Sequence, residues 1–325
     1  MSSVVFGDFD YVSVSTSQEF ATALSNRQKA HMNFFTDCPD RRLVEAFERT
    51  RLPFLAVTED PRDVTGFIMR ERSLNWQQAV RLTNLTFATT SVLFESQLAL
   101  RISRSDGLTI REFLERLTAH LRVEVGQDHL DEISRRLNPT GDSSSSIEDA
   151  VLSQVAHAAP MGQALAISEE ERLTIEPLLA SMRATERGAP TSFSWPSDLF
   201  IGSAGPAELL RQPIEMLGPA RCLLYGPYLH LPLGHWEVTL IMEVEENFSG
   251  NVVDVDIFHG EILHLESFRL PVSGRMALIT KFPINESREP VQIRVIQREG
   301  AIEGLLRIGD VQVRRVDEGP FTGLS

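Results

Sequence analysis

Several groups of residues in this chain have types and spacings that could do chemistry. Ser15, Thr16, Ser17 and Gln18 form a hydroxyl-rich turn between an apolar run and a helix-like stretch. Asp60, Pro61, Arg62 and Asp63 follow the apolar run Phe54–Val57 directly. Arg62 could bond carbonyls in that turn and Asp63 could cap the next helix, which explains the cluster without catalysis. Tyr225, Tyr228 and Trp236, with His235 and Glu237 close by, are the residue types of a sugar platform. Asp254 and Asp256 share one face of a strand pattern. They read either as oxygen ligands for calcium or as a solvated face, and nothing nearby in sequence completes a ligand set. His31 and Asp37 read as an acid–base pair or as two solvated loop residues. No HExxH, GxSxG or Walker pattern occurs, and Cys38 and Cys222 form no CxxC pair, so no metal site is expected.

The elements that must position these groups change character along the chain. Tyr11–Ser15 reads as a strand and Gln18–Lys29 as a helix, and Phe54–Val57 has the compact apolar form of a buried parallel strand. Trp76, Ala79, Val80 and Thr83 recur at helical spacing, and Leu98–Ser103 reads as another strand. Thr109 and Glu112 form a capping box ahead of an apolar stripe at Ile110, Phe113, Leu114, Leu117 and Leu121. A second helix follows with Leu130, Ile133 and Leu137 inward. Strands separated by helices predict an α/β domain with a parallel sheet over residues 1–140. Residues 141–192 read as a connection with helical segments. It opens on the turn-rich Asn138–Ser146, has a helix at Ile147–Ala159 and a capping box at Ser168–Glu171, and the helix after that box is expected to kink or be interrupted at Pro177. From Phe193 the patterning turns period-two, as at Val238, Leu240, Met242 and Val244, or Val253, Val255 and Ile257. This predicts an all-β antiparallel sandwich over residues 193–318.

The chain has 325 residues and a formal net charge of −14. That balance argues against a general nucleic-acid or anionic-membrane partner, because phosphate binding needs a basic surface. Its basic residues are almost all arginine, with lysine only at Lys29 and Lys281. No apolar run approaches the roughly 18 residues of a membrane span. The N-terminal segment has neither a basic start nor a long apolar core, so a cytoplasmic location is expected.

Two stretches resemble known families. Leu55–Val64 (LAVTEDPRDV) resembles the strand and turn of sulfotransferases. The strand at Leu98–Ser103, the capped helix from Thr109, the LRVEV segment at 121–125 and the helix ending Ser134–Leu137 extend that likeness over the first 140 residues. The resemblance implies a P-loop-like fold and a site for 3′-phosphoadenosine 5′-phosphosulfate at Ser15, Thr16, Ser17 and Gln18. The chain departs from the family there: glycine and the basic residue are missing, Glu19 adds a negative charge, and Glu59 stands where the family has a phosphate-binding arginine. The expectation is therefore no cofactor, with the phosphosulfate donor as the alternative.

Ala220–Val238, with its YGPY and LPLGHW segments, resembles a β-sandwich module found beside bacterial polysaccharide-assembly glycosyltransferases, and carbohydrate-binding sandwiches generally. With Pro232–Gly234 as a three-residue hairpin loop, His230 faces Trp236, Tyr228 faces Val238 and Leu224 faces Met242. That register makes Tyr228 and Trp236 core aromatics and leaves Tyr225, His235, Glu237 and Glu243 on the opposite, candidate glycan face. The expected function is a non-catalytic or cofactor-altered accessory protein of bacterial cell-surface polysaccharide assembly. Its partner would be a glycan or an assembly protein. The alternatives are a carbohydrate sulfotransferase with an atypical cofactor loop and a purely structural interaction module.

Overall fold

The computed structural model describes residues 9–94, 96–137, 145–154, 165–186, 191–203, 210 and 212–316. The chain divides into two compact units. One comprises Met1–Glu71 and Thr90–Leu165, the other Arg72–Thr89 and Ala166–Ser325.

The first unit is α/β. Strands β1 (Phe9–Ser13) and β2 (His31–Phe35) pair in parallel, and so do β3 (Phe54–Thr58) and β4 (Ala99–Ser103). The parallel pairing expected from the strand–helix alternation is present, but as two separate two-stranded sheets. The crossovers are the helices Ser17–Ser25 between β1 and β2, and Pro61–Arg72 and Trp76–Phe94 between β3 and β4. Val14, Leu43, Val44, Phe47 and Leu93 form a buried cluster, with Phe20, Phe34 and Phe54 packed against it. The capping box at Thr109 and Glu112 starts the helix Ile110–Leu121. Its stripe meets Leu130 and Ile133 of the helix Gln127–Leu137 and Ala150 of the helix Ile147–Gln154. Most of the turn-rich connection, at 138–144, lies outside the described residues, as does the rest of the helix expected to reach Ala159.

The helix Glu169–Glu186 runs through Pro177 without the expected interruption. Ile175, Leu178, Leu179 and Met182 are buried along it and it packs on strand β5 (Ser192–Trp195). That burial offsets the one backbone hydrogen bond the proline removes.

The rest of the second unit is antiparallel. Its strands are β5, β6 (Ile201–Gly202), β7 (Ile214–Glu215), β8 (Arg221–Leu229), β9 (Gly234–Glu245), β10 (Val252–His259), β11 (Glu261–Arg269), β12 (Gly274–Ile284), β13 (Val291–Gln297), β14 (Leu305–Ile308) and β15 (Val311–Arg315). They form a five-stranded sheet in the order β11-β10-β13-β8-β6 and a second sheet in the order β5-β15-β9-β14-β7, with β12 on the free side of β9. Alternate residues close the core from both sheets: Trp236, Val238, Leu240, Met242 and Val244 from one, Val253, Val255, Ile257, Val291, Ile293 and Val295 from the other.

The expected β8–β9 hairpin does not form. β8 pairs with β13 and β6, whereas β9 pairs with β12, β14 and β15. Residues 230–233 cross from one sheet to the other, and all four are buried. A tight hairpin turn would sit at the surface, so an apolar His-Leu-Pro-Leu run is better satisfied as a crossing. Gly234 then opens β9 at φ +144, where a Cβ would lie 3.0 Å from Arg315 Nε.

His230 is buried in that crossing. Its backbone N–H donates to Asn84 Oδ1, and its ring Nδ1 lies 3.0 Å from the Ser287 carbonyl oxygen. Burial pushes its pKa down to about 4, against the opposing pull of the Ser287 carbonyl. The unfolded chain takes up the proton near pH 6.5 and the folded chain only near 4, so stability is full above about 6.5 and lost as pH falls between those values. The expected loss is on the order of 3 kcal/mol. Denaturant titrations at pH 7 and pH 4 check this, and His230→Gln should shrink the difference. An unchanged difference in that variant would place the titrating group elsewhere.

Candidate functional site

The Ser15–Gln18 turn is built as expected of a helix start, but the amides of Ser15, Thr16 and Ser17 are already used. Thr16 is the N-cap of the helix Ser17–Ser25, and its Oγ1 accepts from Glu19 N–H at 3.1 Å. Glu19 Oε2 reaches back to the N–H groups of Ser15 (2.7 Å) and Thr16 (3.1 Å). Ser17 N–H donates to Asp40 Oδ2 at 3.3 Å, and Asp40 also caps the helix Arg41–Thr50. Two carboxylates of the chain thus occupy the amides that would otherwise meet a phosphate.

The DPRD turn is also a helix start. Pro61 is the first residue of the helix Pro61–Arg72, where its missing N–H costs nothing. Asp60 Oδ1 accepts from Arg62 N–H at 2.9 Å, so Asp60 takes the capping place expected of Asp63. Thr65 Oγ1 donates to the Pro61 carbonyl at 2.7 Å. Glu59 accepts from Asp60 N–H at 2.9 Å and lies 3.8 Å from Arg104, which also holds Glu148. Burial pushes the Glu59 carboxyl up, against the pull of the Asp60 amide and Arg104. His31 begins β2 rather than lying in a loop, and Asp37 is an exposed residue beyond its end.

The sequence-derived glycan face is divided between the two sheets. Tyr225 lies on β8, whereas His235 and Glu237 lie on β9. Glu237 is buried and clamped: Arg314 Nε donates to its Oε1 at 2.7 Å, and Lys281 Nζ lies 3.6 Å from its Oε2. Asp256 is not solvated either. It is 2% exposed and receives two hydrogen bonds from Arg294, at 2.7 and 2.8 Å. Asp254 accepts from Ser267 and lies 3.6 Å from Arg298. No group of acidic, histidine or cysteine side chains suited to a metal occurs among the described residues.

The structure assembles a different constellation on the face of the five-stranded sheet turned away from the core. Register places Asp256 opposite Arg294 and Arg294 opposite Tyr225, while Phe258 faces Gln292. Arg294 lies over the Phe258 ring, 4.4 Å from its centroid, so the guanidinium is held by a carboxylate and an aromatic face together. Asp256 in turn raises the Arg294 pKa.

Tyr228 joins this face, against the expectation that it is a core residue. Simple alternation puts residues 225 and 228 on opposite faces. Here Leu229 pairs with Val291 and Pro227 with Gln292, so Tyr228 is an extra residue in the ladder, at φ +64. The bulge re-aims its ring. Tyr225 and Tyr228 meet edge to face at 6.1 Å. The guanidinium of Arg81 lies 5.5 Å from the Tyr228 centroid. Gly226-Pro227 between two tyrosines was the sequence signal for this bulge. Arg294 and Phe258 gave no such signal, because their partners come from other strands.

No family model matches the sequence, and no curated protein is significantly similar to it. Solved structures overlap part of the chain. The module TmCBM61 in complex with beta-1,4-galactotriose is 15% identical, covering 36% of this chain and 81% of its own, at a TM-score of 0.25. The N-terminal cellulose-binding domain of Cellulomonas fimi beta-1,4-glucanase C is 10% identical, covering 40% and 80%, at 0.23. The insecticidal delta-endotoxin Cry8Ea1 from Bacillus thuringiensis is 13% identical, covering 33% and 20%, at 0.23. Scores this low carry no conclusion about function.

Proposed function

We propose that the second unit binds glycan on the outer face of β8, β13 and β10, and that the protein is a non-catalytic accessory of bacterial cell-surface polysaccharide assembly. One juxtaposition carries the reading: Tyr225 and Tyr228 stand beside the fixed Arg294–Asp256 pair. A sugar ring offers C–H groups to an aromatic face and hydroxyls to planar polar groups. Two tyrosines at right angles, with the Arg294 guanidinium locked in place by the buried Asp256, meet both needs with little ordering cost on binding. The polar partners are fixed by each other, which is how a recognition surface is kept preorganised.

The sulfotransferase alternative gains nothing from the Ser15–Ser17 turn, whose amides are bonded to Glu19 and Asp40. No observation favours it over the glycan reading.

The test is binding to a glycan array followed by calorimetry on the best glycan. Tyr225→Ala and Tyr228→Ala should each weaken binding at least ~10-fold, as for a central aromatic anchor. His235→Ala, on the other sheet, is the comparison. A larger loss from His235→Ala than from Tyr228→Ala would return the site to β9, and no binding to any glycan would end the proposal.

A further inference from the structure

The charge of the ligand can be read from Arg81, and this step rests on the glycan reading above. Arg81 belongs to the helix Trp76–Phe94, within the part of it that packs in the second unit. Its Nε donates to the Pro227 carbonyl at 3.0 Å, inside the bulge that carries Tyr228. Its guanidinium lies over the Tyr228 ring. Burial is deep enough to lower its pKa, and the one titratable neighbour acting against that is the Tyr228 phenol.

What Arg81 lacks is an acid. Two other half-buried arginines, by contrast, have one: Arg294 has Asp256, and Arg104 has Glu59 and Glu148. Arg81 makes no ion pair among the described residues, and of its five N–H donors only Nε–H is used. This occurs in a chain with 45 acidic and 31 basic residues. Withdrawing a guanidinium from water is costly without a counter-charge, so an unpaired one beside a binding face marks a place for an anion. Arg81, Arg294 and Asp256 together leave one net positive charge around Tyr225 and Tyr228.

We propose that this site takes an acidic glycan, whose anionic group pairs with the guanidinium of Arg81 while a neighbouring ring packs on the tyrosines. The planar fork of arginine suits a uronate carboxylate or a sulfate ester equally, since both present two oxygens side by side.

The full chain should be screened against an array of neutral, uronate-bearing and sulfate-ester glycans. The best acidic binder and its neutral counterpart are then titrated by calorimetry. The wild type should favour the acidic member at least ~10-fold, and its affinity should fall as salt rises. In Arg81→Gln, with melting temperature as the check on folding, the acidic-to-neutral ratio should collapse toward one. A preference confined to uronates identifies the carboxylate, and one confined to sulfate esters identifies the sulfate. Equal binding of acidic and neutral glycans overturns the inference and leaves the glycan reading standing. So does an acidic preference that survives Arg81→Gln. Binding to no glycan removes both. Should Arg81→Gln not fold, Arg81→Lys should keep the salt dependence but lose part of the preference. A wild-type affinity for acidic glycans that does not respond to salt would overturn the proposal without any variant.

Discussion

Trp236→Ala is expected to destabilise the second unit by about 3–5 kcal/mol, the range for emptying a large buried aromatic site. Trp236 is fully buried on β9 and stacks against Phe193 of β5 at 5.8 Å. Phe87 meets Phe193 in turn, edge to face. The indole N–H donates to the Pro232 carbonyl at 2.9 Å, which holds the segment crossing between the sheets. Alanine removes the ring, the stacking and that hydrogen bond at once, and leaves a buried carbonyl without its donor. Trp236→Phe should recover most of the packing but not the hydrogen bond, so its loss should be smaller. Chemical denaturation of the three proteins checks the order. A stable Trp236→Ala protein that has lost glycan binding would mean the ring faces a ligand and not the core.

Asp256→Ala is expected to cost about 3–5 kcal/mol, because it strands the half-buried Arg294 guanidinium without its buried partner. Asp256 is 2% exposed and Arg294 side chain 26% exposed, so water cannot replace the lost partner fully. The Coulomb gain of the pair is not the source of this number. A buried ion pair offsets its own desolvation and little more, whereas breaking one leaves an uncompensated charge. The discriminating variant is therefore the double replacement Asp256→Leu with Arg294→Met. It should be far more stable than Asp256→Ala, since both charges leave together, and should still bind glycan poorly. If the single and double variants unfold at the same denaturant concentration, the pair is not coupled as the geometry requires. The two changes are in contact, so additivity is not expected and a double-mutant cycle measures the coupling directly.

The same pair explains why part of this protein was legible in one dimension and part was not. The fold class followed from local pattern. The capping box at Thr109 and Glu112 starts its helix as expected, and Val253, Val255 and Ile257 bury alternately as expected. Caps and periodicity are set by residues within a few positions of one another, and the chain carries that information locally. Trp236 was placed in the core correctly even though the hairpin that placed it does not exist. The period of two along β9 is independent of which strand lies beside it.

Pairing is where the sequence stopped. Which strand lies beside β8 depends on β13, residues 291–297, and on a crossing that is buried instead of turned. Glu237 looked like a free acceptor until Arg314 and Lys281 arrived from β15 and β12. Asp256 looked solvated until Arg294 arrived from β13. Glu19 looked like a charge repelling a phosphate, and it is instead the acceptor that caps its own helix. The chain therefore determined, by itself, which residues alternate, where helices begin, and which half is α/β and which is β. Only the tertiary structure decided which charges are already neutralised and which, like Arg81, are not. That difference depends on contacts between residues far apart in sequence, and a charge has no fixed energy until its neighbours and its distance from water are set.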